Sequence, residues 1–293
     1  FMLLFIALAN IPFWVATTRS SAPSDAVDSV WLWARTLLVD HRAYPLFAML
    51  FGFGLVTMVN RRITSGTRSY LESLPGVEAG REPTEQEEAW AREQATVDAR
   101  RLVRRRGLWM VLFGAAHAVL FSGDIIGTYG LVAVLFAEVI VMKRAWPRVL
   151  VGSLVAALSL FGLWGMGFSM GGTPMVLEYH GPMALTMFYP LTSLGNWLGA
   201  TIATVLMSLV VPCVMCGVGV ARWGLLQDPR GRGALLGAIA VGGLAVGAVG
   251  GLPYALGQLG WGFVGAGTWA NPLFHASGVV GACGWLALLA LVG

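Results

Sequence analysis

His117 and Asp124 stand seven residues apart in the apolar stretch "GLWMVLFGAAHAVLFSGDIIGTYGLVAVLF", residues 107–136. Imidazole suits proton transfer near neutral pH, and a carboxylate beside it orients the ring and stabilises its charged form. Seven residues are close to two helical turns, so a helix that persists that far projects both side chains to one side. Ionisable groups at membrane depth are costly and usually face a cavity that marks a functional site. A second polar group, Asp40, His41 and Arg42 in "DHRAYPLF", falls at the same end of the following apolar run. Glu178, His180 and His275 are expected on that side too, in loops, and Tyr129 is placed to donate a hydrogen bond to Asp124. A simpler reading stands beside this one: "SGD" ahead of an apolar run is a good N-cap signal, so Asp124 caps a helix. Arg100, Arg101, Arg104, Arg105 and Arg106 form a third group. They either keep a helix from sliding into the bilayer or grip an anionic ligand, since guanidinium pairs well with phosphate.

The elements that must position these groups are apolar. Hydrophobic residues make up 57% of the 293, charged residues only 12%, and mean hydropathy is +0.72, which excludes an ordinary soluble domain. The expected class is an all-α, polytopic bundle in one transmembrane domain over residues 1–293. Eight spans are expected, at residues 1–16, 43–60, 107–121, 125–142, 149–170, 191–223, 233–259 and 276–293, each near the length that crosses ~30 Å of hydrocarbon. Both ends fall inside apolar runs, so the sequence reads as part of a longer chain. In this arrangement 16 of the 19 Lys and Arg lie on one side, leaving Arg19, Arg35 and Arg42 on the other. Basic residues collect on the cytoplasmic side, which makes residue 1 cytoplasmic. The net charge of +4 then follows from topology and calls for no nucleic-acid partner. Arginine outnumbers lysine 18 to 1, as in a high-GC bacterial genome.

Residues 61–106 form the long cytoplasmic connection. Thr84 and Glu87 have capping-box spacing, acidic residues crowd the next turns and arginines the last, and the segment is predicted to run as one helix into the third span. In the loop after the first span, Val27, Val30, Trp31, Ala34, Leu37 and Leu38 repeat at helical spacing, predicting a short interfacial helix. Cys213 and Cys216 are read as packing residues, and Gly243, Gly247 and Gly251 as a small-residue ladder for close helix approach.

The segments "DHRAYPLFAMLFGFG", "RRRGLWMVLFGAAHAVLFSGDIIGTYGL" and "GVGVARWGLL" resemble the bacterial YeiB-like family of membrane proteins. That family is similar in architecture to the transmembrane acyltransferase superfamily, which includes the heparan-alpha-glucosaminide acetyltransferases. The family's first-span motif, an arginine and glycine ahead of the apolar run, would precede residue 1. The resemblance implies a protein of the bacterial cytoplasmic membrane that moves an acyl group from cytosolic acyl-CoA to an extracytoplasmic hydroxyl or amine on a carbohydrate or lipid. No metal enters that chemistry, and membrane lipids and an oligomer are compatible with it. On this expectation Arg101, Arg104, Arg105 and Arg106 bind the CoA phosphates. His41 or His117 is the general base, with His41 slightly preferred because it lies nearer the outer solvent. Asp124 orients the imidazole, while Arg42 and Tyr129 meet the acceptor or the developing oxyanion. The rival expectation is a transporter or a lipid- or solute-binding subunit, for which Pro212 and Pro253 interrupt late spans.

Overall fold

The computed structural model describes residues 4–5, 7–8, 25–78, 80–120, 123–169, 188–226, 229, 231–258 and 266–292, and all regular structure among them is helical. Most of the expected first span, with Arg19, Glu178, His180 and Arg230, lies outside the described residues.

Helix α1 (Ala26–Leu38) bears out the helical spacing read from the sequence. Asp25 caps it by accepting the Asp28 N–H at 2.8 Å, satisfying one of the orphan donors of a helix start. A tight turn then leads into α2 (Ala43–Glu72). The turn contains His41 at φ 55°, a left-handed conformation uncommon outside glycine and Asn.

The far end of α2 pairs with α3 (Glu85–Ala118), where the Tyr70 hydroxyl donates to Asp98 at 2.7 Å. Ala91, Ala95, Ala99 and Val103 are fully buried at a spacing of four, the single stripe that an otherwise charged helix needs in order to dock. The capping box forms as expected: Glu87 N–H donates to Thr84 Oγ1 and Thr84 N–H to Glu87 Oε2, at 3.3 and 2.8 Å. Arg81 adds two hydrogen bonds to the same carboxylate, at 2.7 and 3.1 Å. This guanidinium, with the Thr84 N–H, holds the Glu87 carboxyl down at about 2.

The chain continues through α4 (Ile126–Leu135), α5 (Ala137–Val141), α6 (Trp146–Ser169), α7 (Tyr189–Met207), α8 (Val210–Trp223), α9 (Gly233–Gln258) and α10 (Ala266–Val292). By length and composition, Ala26–Glu72, Trp146–Met166, Gly233–Gly257 and Trp269–Val292 could cross a membrane; α7 and α8 add a fifth if the pair, bent by 58°, is one span. Eight spans are therefore not supported. The expected third span is the apolar end of a 34-residue helix, its stretch from Gly107 to Ala118 rising only about 18 Å. The expected fourth is broken at Phe136 into helices of 10 and 5 residues.

Small residues set the packing distances. A Cβ on Gly52 of α2 would strike the Val214 carbonyl of α8, and one on Gly217 of α8 would strike the Met49 carbonyl of α2. Between α9 and α10, a Cβ on Gly243 would lie 2.8 Å from Gly284, and one on Gly247 2.8 Å from Gly281. The third rung departs from the expected ladder. Gly250 meets Ser277, while Gly251 leaves room for the Arg42 guanidinium. Leu46, Met49, Val56, Tyr129, Val132, Ile140, Val210, Cys213 and Val214 fill the core between α2, α4, α5 and α8, so Cys213 is a packing residue as expected.

Candidate functional site

The helix α3 ends at Ala118, one residue after His117, so the geometry at Asp124 is made by a bend rather than by a continuing helix. The pair nonetheless forms: His117 Nδ1 and Asp124 Oδ1 are 3.0 Å apart. The Asp124 carboxyl is 1% exposed and the His117 ring 50% exposed. Asp124 Oδ2 accepts the Gly127 N–H at 2.9 Å and the Trp197 indole N–H at 3.2 Å. The pairing forms on one carboxylate oxygen, while the other serves the start of α4 from the residue before its N-cap, Ile125. A carboxylate only accepts, so in the neutral ring the Nδ1 of His117 carries the proton and Nε2 is the acceptor.

Three local features build this corner. Gly114 lies one turn before His117, and a Cβ there would sit 2.6 Å from both Asp124 Oδ2 and the Gly127 N. Trp197 covers Gly127, with no space between them for a Cβ. One stripe of α7 holds the end of α3: the Tyr189 hydroxyl donates to the Leu120 carbonyl at 2.9 Å, the Ser193 hydroxyl to the Ala118 carbonyl at 2.6 Å, and Trp197 to Asp124. These orphan carbonyls at a helix end need such donors. Sequence reasoning missed Gly114, Ser193 and Trp197. Tyr189, Ser193 and Trp197 recur every four residues with donors on one helix face, which was the signal that could have found them.

His41 and Arg42 belong to a second cluster. The His41 ring lies 3.8 Å, centroid to centroid, from His275, and edge-on to Phe274 and Tyr44 at 4.8 and 5.7 Å. Its Nδ1 is enclosed and has no hydrogen-bond partner. His275 is not in a loop, as expected, but inside α10, where its Nδ1 donates to the Asn271 carbonyl at 2.9 Å. Arg42 is 1% exposed. It donates to the carbonyls of Thr36 at 2.7 Å, Asp40 and Gly247, and lies 5.1 Å from the Phe274 ring. Asp40 instead pairs with Arg35 at 2.9 Å. Arg42 thus ties the α1–α2 turn to the middle of α9.

Tyr129 departs from expectation as well. It is buried against Phe47 and Phe51, and its hydroxyl donates to the Tyr44 carbonyl at 3.4 Å rather than to Asp124. Through Tyr44, which meets the His41 ring edge-on, Tyr129 belongs to the surroundings of the second cluster. A cavity of about 420 Å³ is present in the bundle, but it lies between α6 and α8 and is lined by none of His41, His117 and Asp124.

At the opposite end, Arg100 and Arg104 approach Glu138 of α5 at 3.0 and 3.9 Å. The Arg100 contact lacks the alignment of a hydrogen bond. Arg101 pairs with Asp98 at 3.6 Å, while Arg105 and Arg106 are exposed. Among the described residues no three His, Cys, Asp or Glu gather in a way that could hold a metal ion. Comparison of the chain with protein-family models, curated proteins and solved structures finds no match.

Proposed function

We propose that the protein is a membrane-embedded acyltransferase of the YeiB-like kind, with His117 as general base and Asp124 as the group that orients it. The observation that carries this reading is the 3.0 Å His117–Asp124 pair, whose carboxylate is fixed by two further donors and whose ring stays half-exposed. An acceptor hydroxyl attacks the thioester carbonyl of an acyl-CoA and gives its proton to His117 Nε2. The carbon–sulfur bond then breaks, and the departing CoA sulfur takes that proton from the imidazolium. Among the described residues His41 meets no carboxylate, which favours His117 as the base. Arg42 is committed to backbone carbonyls and Tyr129 to Tyr44, so neither is assigned to the acceptor.

The basic end of α3 supports a cytosolic donor. Eleven residues, roughly 16 Å of helix rise, separate the exposed Arg106 from His117, a span suited to a pantetheine arm between phosphates and thioester. Arg101, Arg104, Arg105 and Arg106 are the phosphate-binding candidates. Under the positive-inside rule this end faces the bacterial cytoplasm, and the imidazole opens toward the other side. The test is transfer from radiolabelled acetyl-CoA to lipid or carbohydrate acceptors by the purified protein in vesicles. His117→Ala and Asp124→Asn should each abolish label transfer. Wild-type transfer by both variants would overturn the assignment.

One observation favours a second reading. The 58° bend between α7 and α8 is the kind of broken helix that solute carriers place at binding sites. Solute uptake into vesicles with indifference to acyl-CoA would select it.

A further inference from the structure

The cavity between α6 and α8 is not part of the histidine sites, and its surroundings carry unbalanced charge. Arg148 is 7% exposed and lines the cavity with Gly152, Ser153, Ala156, Met215, Gly219 and Trp223. Its guanidinium donates to the carbonyls of Met142 at 3.0 Å and Arg144 at 2.7 Å. Arg222, beside Trp223, donates to the carbonyls of Ile140 and Val141 at 2.6 and 3.0 Å. Both arginines therefore converge on the C-terminal end of α5 and the turn after it. A helix C-terminus offers the equivalent of about half a negative charge, against two full positive charges. Neither guanidinium meets a carboxylate among the described residues, and the Arg222 Nε is enclosed without an acceptor. Buried donors in that state call for an anion.

The rest of the cavity says what the anion is attached to. Below the arginines its wall is apolar, and a Cβ on Gly219 would meet nothing within 4 Å. Trp223, which lines the cavity, is 76% exposed, and Trp146, beside the lining residue Ala145, is 61% exposed, as aromatic residues are at headgroup depth. A soluble anion would have no use for the apolar length, and a neutral lipid none for the charge. We propose that this groove binds an acidic phospholipid, with the phosphate held at Arg148 and Arg222 and one acyl chain lying along Gly152, Ala156, Met215 and Gly219. Basic pockets between transmembrane helices are suited to acidic headgroups in this way. The inference is independent of acyl transfer.

The experiment is native mass spectrometry of the purified protein in detergent with dioleoylphosphatidylglycerol or dioleoylphosphatidylcholine, alongside thermal unfolding. Two arginines near an anionic headgroup should favour the acidic lipid by roughly thirtyfold, and Arg222→Gln should cut its retention about fivefold. Gly219→Phe extends from a Cβ position that meets nothing within 4 Å and should also abolish retention, leaving the unfolding temperature without lipid unchanged. If Gly219→Phe fails to fold, Ser153→Leu blocks the same groove from the exposed face of α6. Equal retention of the two lipids, or wild-type retention by a folded groove-filling variant, would overturn the proposal. Displacement of phosphatidylglycerol by equimolar palmitoyl-CoA would also overturn it and make the groove a donor path.

Discussion

His117 and His41 stand at the same end of the bundle, opposite the arginines, and they are housed in opposite ways. His117 has a buried carboxylate on one nitrogen and a ring that is half-exposed. His41 has aromatic rings on three sides, an enclosed Nδ1 without a partner and a left-handed backbone. An unpaired buried nitrogen costs about 1–3 kcal/mol, and a non-glycine residue at positive φ about as much. Polarity near a membrane is thus not one signal. At His117 the surroundings are arranged around the ring's proton, whereas at His41 the neighbour with the structural task is Arg42.

The contrast can be broken by mutation. The largest effect is expected from Asp124→Asn, which keeps the shape and swaps the acceptor at Nδ1. Acyl transfer should fall about 100-fold or more with little change in unfolding temperature, and an active variant would remove the distinction. Arg42→Met should act on stability instead, at about 2–4 kcal/mol, because the Thr36 and Gly247 carbonyls lose their donor. Thermal unfolding reads that loss, and a stable but inactive Arg42→Met would return the residue to the chemistry. His41→Phe should be the mildest of the three, within about 1 kcal/mol of wild type, since no hydrogen bond is lost at Nδ1. A folded His41→Phe that has lost all transfer would make His41 the base.

A control far from both sites completes the series. Thr84→Ala should fray the start of α3 by about 1 kcal/mol, visible as faster amide exchange there, with both histidine sites unchanged. The same helix start has a pH signature. The folded-state pKa of Glu87 is depressed to about 2, so its contribution is whole above the ordinary carboxylate range and declines as pH falls through about 2. Amide exchange at residues 85–88 should accelerate over that interval, and no protection loss there would contradict the Arg81–Glu87 geometry.

Local patterns were legible in advance because their physics is local. The capping box at Thr84 and Glu87, the α1 helix and the first two glycine rungs follow from spacings of three and four, whereas His117 and Asp124 meet across a bend that the two-turn argument did not foresee. The span count was not, because hydropathy registers greasy residues but not the continuity of α3 through its arginines nor the break at Phe136. His275 was misplaced because the last span was expected to begin at residue 276, one position after it, whereas α10 begins at Ala266. Trp197 and the Tyr129–Tyr44 bond join residues 73 and 85 positions apart in the chain, and no short window contains them.

The joint between α7 and α8 has a consequence for the chemistry. Ser208 sits there, its hydroxyl donating to the Thr204 carbonyl and accepting the Val210 N–H, and Trp197 lies three turns up the same helix. Any straightening of the joint would swing that indole as the far arm of a lever. Asp124 would lose the Trp197 donor, leaving the Gly127 N–H alone to steady the oxygen that faces away from the imidazole.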